Sequence, residues 1–544
     1  MTKFRLTGWL SVAAAVVVAG CTPGLDVTNP NAPDATRALS DPAALEAVAG
    51  GTLRTWFTGY DGMMAVGPLT TIADSYSSSW NNYYMLYINS QDADGQRLTR
   101  PWKNDPSANE RQQPEWYWTK YYSAISSASD VLKAIRTDGV QFASASDTKR
   151  SETIAQFVLG LSTSGIAINY DKGYLIDEKT DVSKLAYSDR KKMRDGALAQ
   201  LDAAIALASA NTFTTPAAWT NGRSYTNVQI AQIANTMAAM TIAYWPRSDA
   251  ENTAAEWARV AGYASKGMSS GTPFDFVFVG DGCTAWCHEV LVWFNSIDTG
   301  VIHTRVANAL DPLQKDPYPV GGNPQPVYAP GKDKRLGDGT FGDASLVDGF
   351  GNKPVTASSK PGTDFSYSSY EIFAANRGQY HQSNIGHIRY DLSKNQDPTG
   401  IYGGYGPAPV VTAGQNDLLW AEGLIRTSGD LVKAATLINN TRVTRGGLTA
   451  ATAAEGAASL LVKLQVEQDI ELLGLGASTF YNRRRLTGTS CGAPGLLVPG
   501  NTTYCGLRNG SPAEFPVPAK ELGVRGEALY SFGGTGLRNS PTPP

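Results

Sequence analysis

Between residues 74 and 115, flat rings alternate with amides. Tyr76, Trp80, Asn81, Asn82, Tyr83, Tyr84, Tyr87 and Trp102 stand among polar residues rather than in an apolar stripe. Exposed Tyr and Trp rings stack on sugar rings or contact peptide side chains, while Asn and Asp fix hydroxyl or amide groups. Trp286 and Trp293 supply further rings from a second stretch, beside Cys283 and Cys287. The candidate ligand-binding residues are therefore Tyr76, Trp80, Asn81, Asn82, Tyr83, Tyr84, Trp286 and Trp293. Aromatics also fill cores, and the run Val290-Leu291-Val292-Trp293-Phe294 reads as a buried strand, which would remove Trp293 from the set.

Other reactive types are present without the company that catalysis requires. Cys283, Cys287 and His288 lie close together, but a C-x3-C spacing without a second Cys or His pair is a poor zinc site, and thiolates oxidise outside the cytosol. His303, His381 and His387 are scattered singly. Glu467 and Glu471 are one helical turn apart and can both face Arg483, Arg484 and Arg485, an arrangement expected to serve ion pairing in the scaffold. Glycoside hydrolysis needs two carboxylates across a cleft, about 5 to 9 Å apart, and one helix face does not supply that. No nucleophile elbow, phosphate loop or paired-histidine motif stands out. The reading is recognition without an enzyme's machinery, with no cofactor and no metal.

The elements that must hold these residues come from a chain of 544 residues, beyond the size of one compact core. With 42% hydrophobic and 17% charged residues it has enough apolar material to fold, and its 55 Gly and 30 Pro point to many ordered loops. A net charge of −3 with no concentrated basic run argues against nucleic acid as a partner.

Residues 1–20 read as an export leader. Lys3 and Arg5 open it, an apolar stretch runs from Trp9 to Ala19, and Val18-Ala19-Gly20-Cys21 closes it as a lipobox. The apolar stretch is about half of the ~20 residues that span a bilayer. Cys21 is the expected lipidation site, and several acyl chains there would give durable anchoring to the outer membrane. Residues 21–43, rich in Pro, Asn and Asp, form an extended tether. Cys283, Cys287, Cys491 and Cys505 are an even set in an exported chain, so two disulfides are expected. Three connectivities exist; the simplest pairs Cys283 with Cys287 and Cys491 with Cys505.

Apolar residues at three- and four-residue steps predict helices. Trp118, Tyr122, Ile125, Ala128, Leu132 and Ile135 define one over 116–136. Ile230 to Tyr244 and Trp257 to Ala264 form a hairpin broken at Pro246. Leu418 to Ile425 and Leu431 to Ile438 form another, with Asp430 as the second helix's cap and Gly446-Gly447 as its stop. Such hairpins, with small residues where helices meet, are the unit of tetratricopeptide stacks. The chain is thus mainly α, with a helical region at 44–270, a loop-rich, ligand-facing insertion at 271–412 whose Pro and Gly forbid long helices, and closing helical hairpins at 413–544.

This order of parts resembles the SusD/RagB family of outer-membrane nutrient-binding lipoproteins. The resemblance rests on Trp118, Tyr122 and Ile125; on residues 417–448 with the Asn-x-x-Arg segment Asn439 to Arg442 before a Gly turn; on Glu467, Glu471-Leu472, Gly476 and Tyr481-Asn482-Arg483-Arg484-Arg485; and on Phe515-Pro516-Val517-Pro518 with Glu521-Leu522. It departs from the family where Val466-Glu467-Gln468 and Asn482 stand. The resemblance implies a SusD-like tetratricopeptide scaffold on the cell surface, binding an oligosaccharide or peptide nutrient above a SusC-like TonB-dependent transporter. Two other classes compete: an envelope glycosidase or peptidase, and a tetratricopeptide-type protein-interaction scaffold.

Overall fold

The structure, a computed structural model, describes residues 41–78, 81–89, 100–295, 300–312, 314, 333–336, 364–367, 382–383, 385–387, 389–390, 404–486, 506–507 and 510–534. Helices dominate it. The first half carries α1 (Pro42–Tyr60), α2 (Met63–Ile72), the short α3 (Met85–Asn89), α4 (Gln112–Arg136), α5 (Ala145–Asn169), α6 (Arg190–Ala210), α7 (Asn227–Tyr244), α8 (Asp249–Thr253) and α9 (Trp257–Ala264). After the insertion come α12 (Ala413–Arg426), α13 (Leu431–Arg442), α14 (Gly456–Glu471), α15 (Ser478–Arg484) and α16 (Ala519–Arg525). Helices α10 (Glu289–Asn295) and α11 (Thr304–Leu310) lie within the insertion.

Local chemistry explains where the helices start. Ser144 accepts from the Asp147 N–H at the head of α5, Thr226 and Gln229 form a reciprocal capping box at α7, and Thr412 accepts from Gln415 at α12. Asp430 accepts from the Lys433 N–H at 2.9 Å, the expected cap of α13. The predicted helix at 116–136 begins one turn earlier, at Gln112, and buries Tyr117, Trp118, Tyr121, Ala124, Ile125, Ala128, Leu132 and Ile135.

Packing then proceeds from neighbour to neighbour: α4 on α5, α5 on α6, α6 on α7, α7 on α9, α9 on α12, and α12 on α13 and α14. Each antiparallel pair buries one stripe and presents another to the next, as stacked hairpins must. Small residues set the closest approach. At Gly423 on α12 a Cβ would press on the Ala261 backbone and on the Trp257 carbonyl of α9. Ala434 and Ala435 on α13 are buried against the cluster that holds Leu418, Leu460 and Leu464.

Among the described residues the β-structure is four two-stranded antiparallel ribbons. β1 (Tyr76–Ser77) pairs with β5 (Val301–Ile302), β2 (Lys172–Gly173) with β3 (Ser188–Asp189), and β6 (Phe365–Tyr367) with β7 (Ile385–His387). The longest joins β4 (Phe276–Asp281) to β8 (Tyr405–Val411), with Phe276 opposite Val411 and Asp281 opposite Tyr405. The two ends of the 271–412 insertion are thus zipped together, so a long excursion returns to the point where it left the helical array.

Two expectations need correction. Residues 290–294 are helix rather than strand: an apolar run of five cannot separate the two periods, and Glu289 in the first turn complements a helix N-terminus. Glu467 and Glu471 do not face Arg483, Arg484 and Arg485. The turns after α14 carry the arginine run away, and the carboxylates meet Arg335 at 2.7 and 2.9 Å, with Arg389 and Arg445 also on Glu471 at 2.9 and 3.0 Å. Arg335 and Arg389 belong to the insertion, so these pairs fasten it to α14. The Arg483–Arg485 run instead ties separate segments together. Arg484 donates to the carbonyls of Ile168, Tyr244 and Ala513, and Arg485 binds Glu422 through both terminal nitrogens at 2.7 Å.

Candidate ligand-binding face

Tyr83 and Tyr84 occupy the short 3-10 turn Asn82–Tyr84, and both have left-handed backbone angles, with φ of 52° and 60°. A non-glycine residue pays of order 1–3 kcal/mol for such a conformation, so the surroundings must impose it. They do so from α4. The Gln113 amide, fully buried, donates to the Tyr83 carbonyl at 2.9 Å, and Gln112 donates to the Tyr84 hydroxyl at 3.2 Å.

The Tyr83 ring stands edge-on to the indole of Trp293 on α10, with centroids 5.6 Å apart and planes at 77°. Helix α10 is itself tied to the scaffold where Glu289 accepts from the Met63 N–H at 2.7 Å. Burial raises the Glu289 carboxyl above its ordinary value, with the nearby Asp61 carboxylate adding to the rise against the Met63 hydrogen bond. Burial likewise pushes the Tyr83 phenol up, and the Glu289 charge adds to it. Tyr83 is therefore a neutral hydroxyl at any physiological pH, suited to hydrogen bonding and ring contact.

Asn81 is exposed and Asn82, Tyr83, Tyr84 and Trp293 are half-buried, with the Tyr83 and Trp293 rings packed against the edge of the main hydrophobic core. One turn further along α4, Trp116 is also half-buried, with the Lys120 ammonium 5.0 Å from its ring. Tyr87 lies 4.4 Å from the Lys103 ammonium.

Two expected residues face elsewhere. Tyr76 is 0% exposed; it stacks on Phe294 with centroids 3.8 Å apart and shares a 2.8 Å hydrogen bond with His387 Nδ1. Trp286 is 9% exposed and packs against the stacked Phe57 and Phe278 rings. Trp80 lies outside the described residues, as do Cys21, Cys491 and Cys505.

Cys283 and Cys287 form a disulfide, with Cα atoms 4.1 Å apart. Inside that loop Asp281 accepts from the N–H groups of Thr284, Ala285 and Trp286 at 2.9 to 3.1 Å, so the tip of the β4–β8 ribbon is held both covalently and by hydrogen bonds. Gln112, Gln113, Trp116 and Glu289 were not singled out from the sequence. The register of α4 was the available signal, because Gln112 and Trp116 sit one turn apart, off the buried Trp118 stripe.

No family model matches this chain, and no curated protein matches it by sequence. Solved structures do match. A surface glycan-binding protein A from Bacteroides uniformis superposes with a TM-score of 0.54 at 14% identity, over 90% of this chain and 99% of that one. A SusD homolog from Bacteroides thetaiotaomicron gives a TM-score of 0.53 at 15% identity, over 92% and 99%. The chain has the SusD-like fold. A SusD-like carbohydrate binding protein from Bacteroides fragilis aligns with a TM-score of 0.52 at 13% identity, over 82% of this chain and 86% of that one.

Proposed function

We propose that this chain is a member of the SusD/RagB family: a lipid-anchored outer-membrane protein that captures an oligosaccharide and passes it, unaltered, to a SusC-like TonB-dependent transporter. The observation that carries the reading is the Tyr83–Trp293 pair, in which Tyr83 sits on a strained turn beside Asn81 and Asn82 and Trp293 sits on α10. Rings and amides presented together match the mixed apolar and hydroxyl surface of a sugar. The fold supports the reading further, because a neighbour that it resembles is described as a surface glycan-binding protein.

Anchoring rests on Cys21 and its lipobox. Among the described residues no helix is long and apolar enough to cross a membrane. Binding would be a conformational bias: cargo holds the protein in a closed position over the barrel only as far as it binds that position more tightly.

The test is retention on a panel of immobilised glycans and peptides, followed by mass analysis of the recovered ligand, together with detergent extraction from the native envelope. Retention of an intact glycan and co-extraction of a large barrel support the proposal. Selective retention of peptides would replace the sugar by a peptide nutrient, and cleaved product would make the protein an envelope hydrolase.

A further inference from the structure

A cleft of about 260 Å³ lies where the end of α12 meets α8, α9 and the first two turns of α14. Trp257, Ile425, Leu461, Ala457 and Ala458 give it apolar walls, and among the described residues Arg426 is the one charged side chain that lines it. None of these residues belongs to the Tyr83–Trp293 face or to the insertion.

The charges behind this wall do not balance. The buried Glu422 carboxylate is already saturated: it accepts from both terminal nitrogens of Arg485 at 2.7 Å, from Arg426 Nε at 2.7 Å and from Gln468 Nε2 at 2.9 Å. Within the cluster one carboxylate thus serves two guanidinium groups. Arg426 Nη2, Arg485 Nε and Asn252 Nδ2 are buried donors that find no hydrogen-bond partner among the described residues. Leaving a buried donor unpaired costs about 1–3 kcal/mol, and more when the donor is charged. The cluster also fixes the indole wall. The Arg426 and Arg485 guanidinium groups lie 4.8 and 5.1 Å from the Trp257 ring, and Trp257 Nε1 donates to the Asn252 carbonyl at 2.8 Å.

An apolar slot with a surplus cation in its wall matches one kind of small molecule. We propose that the cleft binds an apolar carboxylate, an acid with a short alkyl or aryl tail, whose head group accepts from Arg426 Nη2 while the tail lies along Trp257, Ile425 and Leu461. Charge selects the head group, because a second carboxylate restores the one-to-one balance that Glu422 alone does not reach. Volume selects the tail. At about 30 Å³ for each water-sized group the cleft holds on the order of nine such groups, which suits a short acid and excludes an oligosaccharide.

This site is separate from the capture of nutrient, and neither reading rests on the other. The acid is coupled to the scaffold instead. Arg426 holds Glu422 beside Arg485, so a ligand that completes the Arg426 hydrogen bonds in the folded chain alone stabilises the join of α12 and α14 by mass action.

The experiment titrates the purified protein with octanoate, 3-phenylpropionate, acetate and octanamide, by calorimetry and by thermal melting, for the wild type, Arg426→Gln and Ala458→Phe. Octanoate and 3-phenylpropionate should bind saturably and raise the melting temperature. Acetate lacks the tail and octanamide lacks the charge, so each should bind at least about ten-fold more weakly. Ala458 is exposed, so Ala458→Phe fills the cleft while leaving the ion pairs in place, and it should abolish binding. Arg426→Gln should bring octanoate down to the affinity of octanamide. Equal binding of octanoate and octanamide by the wild type overturns the site, as does octanoate binding untouched by Ala458→Phe or the failure of every probe to bind. Melting of the unliganded variants separates lost binding from lost fold, and Ala458→Phe carries the test alone where Arg426→Gln, which also loosens Glu422, does not fold.

Discussion

Tyr83 and Trp293 meet edge to face at 5.6 Å, although one lies on a strained turn before α4 and the other on a helix deep in the insertion. Their meeting joins the early aromatic loop to the insertion and makes one surface from two distant stretches. Replacing Tyr83 by Ala should weaken oligosaccharide binding about ten-fold, the scale of one lost aromatic contact. Replacing it by Gly should weaken binding as much, yet leave the protein about 1 kcal/mol more stable than the Ala variant, because glycine adopts a φ of 52° without strain. Urea unfolding of the two variants checks the second half. Equal stability would mean that the turn relaxes when the ring is gone.

Glu422 and Arg485 form a fully enclosed ion pair within the scaffold. Both side chains are 0% exposed, the contact is bidentate at 2.7 Å, and Arg426 adds a second guanidinium at 2.7 Å. Burial alone would raise the Glu422 carboxyl, but Arg485 and Arg426 hold it down at about 2. Arg485→Met should cost on the order of 3–5 kcal/mol, and the double variant with Glu422→Gln should recover part of that loss. The depressed carboxyl contributes stability that is present above its ordinary value near 4.5 and is lost as pH falls towards 2. Chemical denaturation across that range, in wild type and in Glu422→Gln, measures the contribution.

His387 sets a different pH window. It is buried against Tyr76 and Phe365, and burial first, then the Arg389 and Arg445 charges, bring it from 6.5 down to about 3. The folded protein therefore keeps a neutral imidazole where the unfolded chain binds a proton. Stability is fully present above pH 6.5 and should fall as pH drops below it, by about 1.4 kcal/mol per pH unit from this group. Urea midpoints at pH 7, 6 and 5 should show the slope, and a His387→Leu variant should flatten it.

Arg335 fastens the insertion to α14 through Glu467 and Glu471 while Asp333 holds it from its own side at 2.7 Å. Arg335→Met should leave three buried carboxylates, Asp333, Glu467 and Glu471, each short of a partner. Hydrogen exchange should then quicken in β6 and β7 before it changes in α4 to α7. Uniform acceleration across the chain would mean that the insertion and the helical array unfold together.

Much of the architecture was legible in the residues. Three- and four-residue steps marked α4, α7, α9, α12 and α13, and Asp430 marked a cap that the structure contains, because these signals are local. The partners of Glu467 and Glu471 were not legible, since Arg335 and Arg389 reach them from an insertion whose path no local pattern encodes. Residues 290–294 were misassigned because a short apolar run fits either period.

The aromatic face divides along the same line. Alternation of rings with amides picked out Asn81 to Tyr84, which stay exposed or half-buried, yet the composition that marks a binding loop also marks a core, and Tyr76 and Trp286 turned inward to Phe294 and Phe57.

The central claim is capture without chemistry, and one measurement addresses it directly. Purified protein is incubated for a day with the oligosaccharide it retains, and the bound fraction and the size of every sugar are read by calorimetry and mass spectrometry. Saturable binding, lost in Tyr83→Ala, with every sugar recovered at its starting length, is the predicted result. Shortened sugars appearing in proportion to protein and time, or binding indifferent to Tyr83 and Trp293, would contradict it.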